Sequence, residues 1–221
     1  MVLDNMRSQV DFAISPVARI FKNVNPNTIS WIGLIIALAS GVVFAFCYDY
    51  HILLLIGAFL VILSGYFDSL DGKVAKMFNK CTKKGDYLDH VFDRYADVFI
   101  IGGIAICGWC NIYLGLLAII GTLLTSYMGT QAQAVGAPRL YAGLLGRADR
   151  LVLSTLFALL QYIFLFVANG DYATFTVTIA EKVFEISWLD IMLLWFAVVG
   201  NITAIQRAIV TWNNMDKMEK E

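Results

Sequence analysis

Six apolar runs, at about residues 29–48, 52–67, 91–109, 112–135, 151–168 and 188–210, limit what this chain can become. Each is near the roughly 20 residues that a helix needs to cross a bilayer core. Together they raise the mean hydropathy to +0.71 and leave only 15% of the residues charged, which excludes an ordinary soluble domain. Inside a bilayer every backbone polar group must be satisfied internally, so only helices and closed barrels can span it. Barrel strands would alternate apolar and polar residues over about ten positions. These runs do not alternate. An all-α integral membrane protein is predicted, a bundle of six transmembrane helices. The first run starts too late, and too many others follow it, for a cleaved signal peptide, so the mature chain is expected to be the whole chain.

Basic residues set the expected orientation. Arg7, Arg19 and Lys22 precede the first run, Lys73, Lys76, Lys80, Lys83 and Lys84 lie between the second and third, and Arg139, Arg147 and Arg150 between the fourth and fifth. Arg207, Lys217 and Lys220 are at the C-terminal end, whereas the opposite side has only Lys182. The positive-inside rule then puts both termini in the cytoplasm of a multi-pass cell-membrane protein. Residues 1–27 are read as a juxtamembrane segment, 28–213 as the transmembrane domain and 214–221 as a cytoplasmic tail. Within the first, Val10, Ile14, Val17, Ala18 and Phe21 share one helical face, which predicts an amphipathic helix lying in the membrane interface, kinked at Pro16. Asn25-Pro26-Asn27-Thr28 reads as a turn followed by an N-cap.

Against this apolar background stands a string of aspartates. Asp68 and Asp71 are three apart, and Asp89, Asp93 and Asp97 are spaced by four, so each set shares one helical face. A short basic loop joins the two stripes, which predicts antiparallel neighbouring helices whose carboxylates converge at the cytoplasmic mouth. Unpaired, those charges would repel, and at membrane depth each is costly. A cation between them is expected. All-oxygen ligation favours hard divalent ions, Mg²⁺ or Mn²⁺, and a pair of them suits displacement at phosphorus. Gly72 and Gly85 would let a ligand approach the backbone. Of the loop lysines, Lys76 is the candidate for a direct phosphate contact, the others serving topology. Cys107 and Cys110 have CxxC spacing but no second pair to complete a zinc site, and read as apolar fillers or an external disulfide.

The pattern D-x-x-D-G-x-x-A, followed by G-x3-D-x3-D, is matched by Asp68, Asp71, Gly72, Ala75, Gly85, Asp89 and Asp93. In this the chain resembles the CDP-alcohol phosphotransferases, with Lys76 where the family usually has Arg. The six-span layout, the N-terminal helix and the Pro26-Asn27-Thr28 approach to the first span resemble the family too. The resemblance implies that an acceptor alcohol attacks the β-phosphorus of a CDP-linked lipid, releasing CMP. It further implies that Asp68, Asp71, Asp89 and Asp93 hold two divalent cations, with Asp93 also the general base. Asn27, Thr28, Asp68, Gly72, Ala75, Lys76, Thr82 and Gly85 would contact the CDP-lipid. A homodimer is implied, and no nucleic-acid partner is expected.

Arg147 and Arg150 lie three apart at the start of the fifth span, and Arg207 lies near the end of the sixth. Converging, they would suit an acceptor that carries phosphate. Alone, they would anchor helix ends at lipid headgroups. Residues 126–150 resemble those of the inositol-phosphate branch of the family, closest to archaetidylinositol phosphate synthases, although Gly129 and Gln131 replace basic residues of the bacterial members. The expected substrates are therefore CDP-archaeol or CDP-diacylglycerol and 1L-myo-inositol 1-phosphate. Glycerol 3-phosphate and serine are alternative acceptors, and a small cation-coupled transporter is the alternative from another class.

Overall fold

A computed structural model describes residues 7–137, 145–179 and 182–218; Arg139 and Lys220 lie outside them. Seven α-helices occur among the described residues: α1 (Arg7–Ile20), α2 (Pro26–Ala45), α3 (Leu53–Met77), α4 (Lys83–Ala105), α5 (Ile112–Ala134), α6 (Arg147–Val167) and α7 (Trp188–Met218). Of these, α2, α3, α5, α6 and α7 are long and apolar enough to cross a membrane. Helix α4 has 23 residues but carries the aspartate stripe, which removes it from that set by composition.

Local chemistry explains the helix ends. Helix α2 already begins at Pro26, where a missing N–H costs nothing, and Asn25 is its cap, accepting from the Asn27 amide at 3.0 Å. The cap expected further along is thus displaced by this Asn-Pro start. Helix α3 stops at Asn79, whose φ of 53° is left-handed, and the Lys80 amide closes back on the Ala75 carbonyl at 2.8 Å. Thr82 caps α4, accepting from the Gly85 amide at 3.0 Å. The ammonium of Lys80 donates to the carbonyls of Lys22 and Val24, tying this loop to the segment before α2.

The helices carrying the two aspartate stripes are not packed as direct neighbours in the way the short loop predicts. Helix α2 lies against both of them. Its Gly33 faces α3 near Phe67 and Ser64, and its Gly41 meets α4 at Phe99 and Gly103. At that crossing a Cβ on Gly103 would fall 2.1 Å from the Gly41 carbonyl oxygen, so the two backbones touch in the manner of small-residue membrane interfaces. Gly103→Ala should therefore destabilise the bundle by about 1–3 kcal/mol. The midpoint of thermal unfolding in detergent measures this, and an unchanged midpoint would mean that the crossing can slide.

Helix α1 turns Ile14 and Ala18 into a buried cluster with Ile29, Leu70 and Val74, with Val17 and Phe21 packed against it. The apolar face read as membrane-facing therefore meets the bundle at these positions; the side chain of Val10 is outside the described residues. At the opposite end, β1 (Phe175–Ile179) pairs antiparallel with β2 (Lys182–Ile186), Val177 opposite Phe184. This hairpin was not anticipated, although Phe-Thr-Val-Thr-Ile alternates as a strand should. Asp190 of α7 accepts from the Asn111 amide at 2.8 Å and caps its own helix through Ser187, joining the starts of α5 and α7.

Candidate active site

The C-terminal part of α3 and the first half of α4 bring the aspartates together. Asp68, Asp71 and Asp89 each offer one carboxylate oxygen, all within 4.8 Å of one another, and Asp89, His90 and Asp93 form a second such group. Asp71 and Asp93 are buried, at 5% and 7% exposure. Three hard oxygen donors with a formal charge of minus three at one point suit a divalent cation of the Mg²⁺ or Mn²⁺ kind, so the residues fit the ion that the spacing predicts. His90 lies outside the aspartate pattern of the sequence, and its imidazole is the nitrogen donor of the second group.

Asp68, Asp71 and Asp93 each have a partner from elsewhere in the fold. The hydroxyl of Ser30, one turn into α2, donates to the Asp71 carboxylate. The Arg147 guanidinium, at the first residue of α6, is paired with Asp68 and reaches Asp93 Oδ1 at 2.6 Å. Arg94 lies 3.7 Å from the other Asp93 oxygen. Arg147, a candidate acceptor-phosphate ligand by sequence, lies between the two aspartate-bearing helices, where it supplies one of the positive charges the cluster requires.

Deeper along the same face, Arg150 and Asp97 are both 4% exposed and form an ion pair at 3.1 Å. Arg150 also donates to the Thr122 carbonyl at 3.3 Å. The spacing of four along α4 and three along α6 thus makes two rungs, Asp93 with Arg147 and Asp97 with Arg150. Arg207, also buried, donates to the Thr125 carbonyl at 2.7 Å. Arg150 and Arg207 are therefore both anchored on α5. Neither Ser30 nor the Asp97 pairing was foreseen, because no local spacing links residues that far apart in the chain.

The remaining candidates flank this cluster. Nothing lies within 4 Å of a Cβ built on Gly72, whereas one on Gly85 would approach Thr82 Oγ1 at 3.2 Å and Asn27 Oδ1 at 3.3 Å. Asn27, Thr82 and Gly85 are thus gathered at the mouth. Ala75 is half-buried on α3, and Thr28 and Lys76 are exposed. The cleft between α2, α3 and α4 is lined by Ser30, Gly33, Asp68, Asp71, Asp89 and Arg147.

Residues 23–203 match the family profile described as CDP-alcohol phosphatidyltransferase. The chain is 30% identical over 163 residues to the archaetidylinositol phosphate synthase of Methanothermobacter thermautotrophicus, covering 73% of this chain and 72% of that one. It is also 30% identical over 161 residues to the phosphatidylinositol phosphate synthase of Cutibacterium acnes, covering 69% and 75%. Among solved structures, the Mycobacterium tuberculosis phosphatidylinositol phosphate synthase with CDP-DAG bound superposes with a TM-score of 0.69 at 23% identity, over 90% of this chain and 93% of that one. The same enzyme in complex with manganese and citrate gives a TM-score of 0.70. That likeness carries the fold.

Proposed function

Because the chain belongs to the CDP-alcohol phosphotransferase family and is a multi-pass membrane enzyme of that reaction class, we propose that it transfers an archaetidyl or phosphatidyl group to inositol 1-phosphate. The observation that carries this reading is the meeting of Asp68, Asp71, Asp89 and Asp93 with Arg147 of α6 in one cleft end. The acceptor hydroxyl forms a new bond to the β-phosphorus of the CDP-lipid, the bond from that phosphorus to the CMP oxygen breaks, and CMP leaves. A transporter would need its charges at the midplane of repeated halves, which the family does not support.

Asp68, Asp71, Asp89 and Asp93 would hold two divalent cations in this reading, Asp89 belonging to both groups of donors. Such ions offset the charge of the diphosphate and of the departing CMP. Ser30 orients Asp71 by its hydrogen bond. Asp93, at the α6 side of the cluster, takes the proton of the acceptor hydroxyl. Arg147 holds Asp68 and Asp93 on one side of the cleft and adds positive charge beside the acceptor. Gly72 leaves room for the nucleotide against α3, and Asn27, Thr28, Ala75, Lys76, Thr82 and Gly85 border its pocket. Helix α4 is the sixth span, its charged half opening toward the cytoplasm with both termini, and α1 lies along that surface. The enzyme works as a homodimer.

Arg150 and Arg207 bind the acceptor's phosphate. Their anchoring to Asp97, Thr122 and Thr125 keeps both guanidinium groups in place before the acceptor arrives. The names of relatives at about 30% identity support inositol phosphate as that acceptor; glycerol 3-phosphate is the second reading, since it presents the same anion.

A headgroup screen tests the assignment. Purified protein with CDP-archaeol or CDP-diacylglycerol and Mn²⁺ is offered inositol 1-phosphate, glycerol 3-phosphate, serine or inositol, and CMP release is followed. Inositol 1-phosphate should react best. Arg207→Ala should raise its KM by roughly tenfold to a hundredfold, the loss of one charge-assisted hydrogen bond of about 1.5–3 kcal/mol, with little change for the CDP-lipid. Arg150→Ala alone would strand Asp97, so Arg150→Ala with Asp97→Asn is the cleaner probe. Faster reaction with free inositol or serine would remove the phosphate site.

A further inference from the structure

Three of the four cysteines meet at the end of the bundle away from the carboxylates. Cys107 and Cys110 flank the turn that leaves α4, where the Cys110 amide donates to the Cys107 carbonyl at 3.1 Å, and their Sγ atoms are 3.4 Å apart. Cys47, in the turn after α2, is fully buried and belongs to the same buried cluster as Cys107. The two turns are in contact: a Cβ on Gly108 would lie 2.6 Å from the Tyr48 ring, and the Trp109 ring sits 5.6 Å from Tyr48 and 5.4 Å from His51. Cys107 is buried beneath this aromatic cover, whereas Cys110 is partly exposed. Cys81, the fourth, is exposed on the α3–α4 loop, at the other end of α4.

A buried thiol that merely fills space needs apolar neighbours and no second sulfur. Here Cys107 has the Cys110 sulfur at 3.4 Å and Cys47 in the same buried cluster. Residues at the ends of a four-residue turn have Cα atoms within about 7 Å, and a disulfide spans most of that range, so a Cys107–Cys110 bridge needs little backbone movement. Cys47 comes to the same cluster from a different loop, one residue from Tyr48, whose ring touches the turn between Cys107 and Cys110.

The geometry points to a dithiol–disulfide centre in which Cys107 is the shared sulfur, bridged to Cys110 and exchangeable to Cys47. In its formation Cys107 and Cys110 lose two protons and two electrons to a small-molecule disulfide, which is reduced to two thiols while the Cys107–Cys110 bond forms. In the exchange the Cys47 thiolate attacks Cys107 Sγ, a Cys47–Cys107 bond forms, the Cys107–Cys110 bond breaks, and Cys110 leaves as the thiolate and takes the proton that Cys47 gave up. The first bridge closes only its own turn. The second cross-links the α2–α3 and α4–α5 loops beyond the Gly41–Gly103 crossing, and so closes a much longer stretch of chain.

Full-length protein in detergent is exposed to oxidised glutathione, denatured in iodoacetamide, digested without reduction and mapped by mass spectrometry. Wild type should show Cys81 alkylated and a bridge at Cys107, chiefly to Cys110. Cys110→Ser should move the bridge to Cys47–Cys107 and raise the unfolding midpoint of the oxidised protein above that of its reduced form. Cys107→Ser should leave Cys47 and Cys110 both alkylated. Wild type with Cys47, Cys107 and Cys110 all alkylated or all glutathionylated, or with a Cys47–Cys110 bridge, overturns the proposal. The mapping reads thiols alone, so neither the acceptor nor the membrane orientation enters its outcome.

Discussion

Asp71→Asn is expected to lower CMP release by roughly a thousandfold or more, equivalent to about 4 kcal/mol of lost transition-state stabilisation. Asp71 is buried, accepts from Ser30 and shares a point in space with Asp68 and Asp89. An amide there keeps the volume but removes one of the three negative charges that make the group attractive to a divalent ion. Asp68→Asn and Asp89→Asn should behave alike, and chelation by EDTA should reproduce the effect in the unaltered protein, reversibly on adding Mn²⁺. Ser30→Ala removes only the orienting hydrogen bond, so its loss should be closer to tenfold to a hundredfold, the size typical of outer-shell partners. The readout is initial rate at saturating substrates, alongside Mn²⁺ affinity. Chelated protein that kept its full activity would overturn the metal reading of the cluster.

Asp93→Asn separates ligand from base. Loss of a positioned proton acceptor costs about a hundredfold to ten-thousandfold in turnover. The variant should still bind CDP-lipid with nearly unchanged affinity, because Asp68, Asp71 and Asp89 keep their own group intact. Arg147 would retain Asp68 and lose its charged partner at 2.6 Å, so a modest fall in thermal stability should accompany the kinetic defect. Turnover is measured with binding of the CDP-lipid in parallel. If binding collapsed and the remaining bound enzyme reacted at the normal rate, Asp93 would be a metal ligand without a role in proton transfer.

Much of this site is legible as spacing. Asp68 with Asp71, and Asp89 with Asp93 and Asp97, lie on common helical faces because an α-helix repeats every 3.6 residues, and each of these residues does fall in a helix. The cap at Thr82 follows from its place before a helix whose third residue is Gly85. The pairing of β1 with β2 is legible as well, in the alternation of Phe175–Ile179, although it lies between two long apolar runs. The pairing of Arg147 is not. Its position three residues before Arg150 says that the two share a face, yet nothing local says that one meets Asp68 and Asp93 while the other meets Asp97.

By itself, then, the sequence determined the solvent, the helical spans, and the alignment of carboxylates along α3 and α4. These follow from length, hydropathy and the hydrogen-bonded repeat of one helix, all properties of contiguous residues. Only the tertiary structure decided which faces meet: α2 placed against both aspartate helices, Ser30 brought to Asp71, and the α6 arginines set as rungs against α4. The physical reason is that lipid tails solvate all apolar faces equally well. Helix order and rotation therefore rest on close backbone contacts, such as Gly41 on Gly103, and on pairing buried charges, which join residues far apart in the chain.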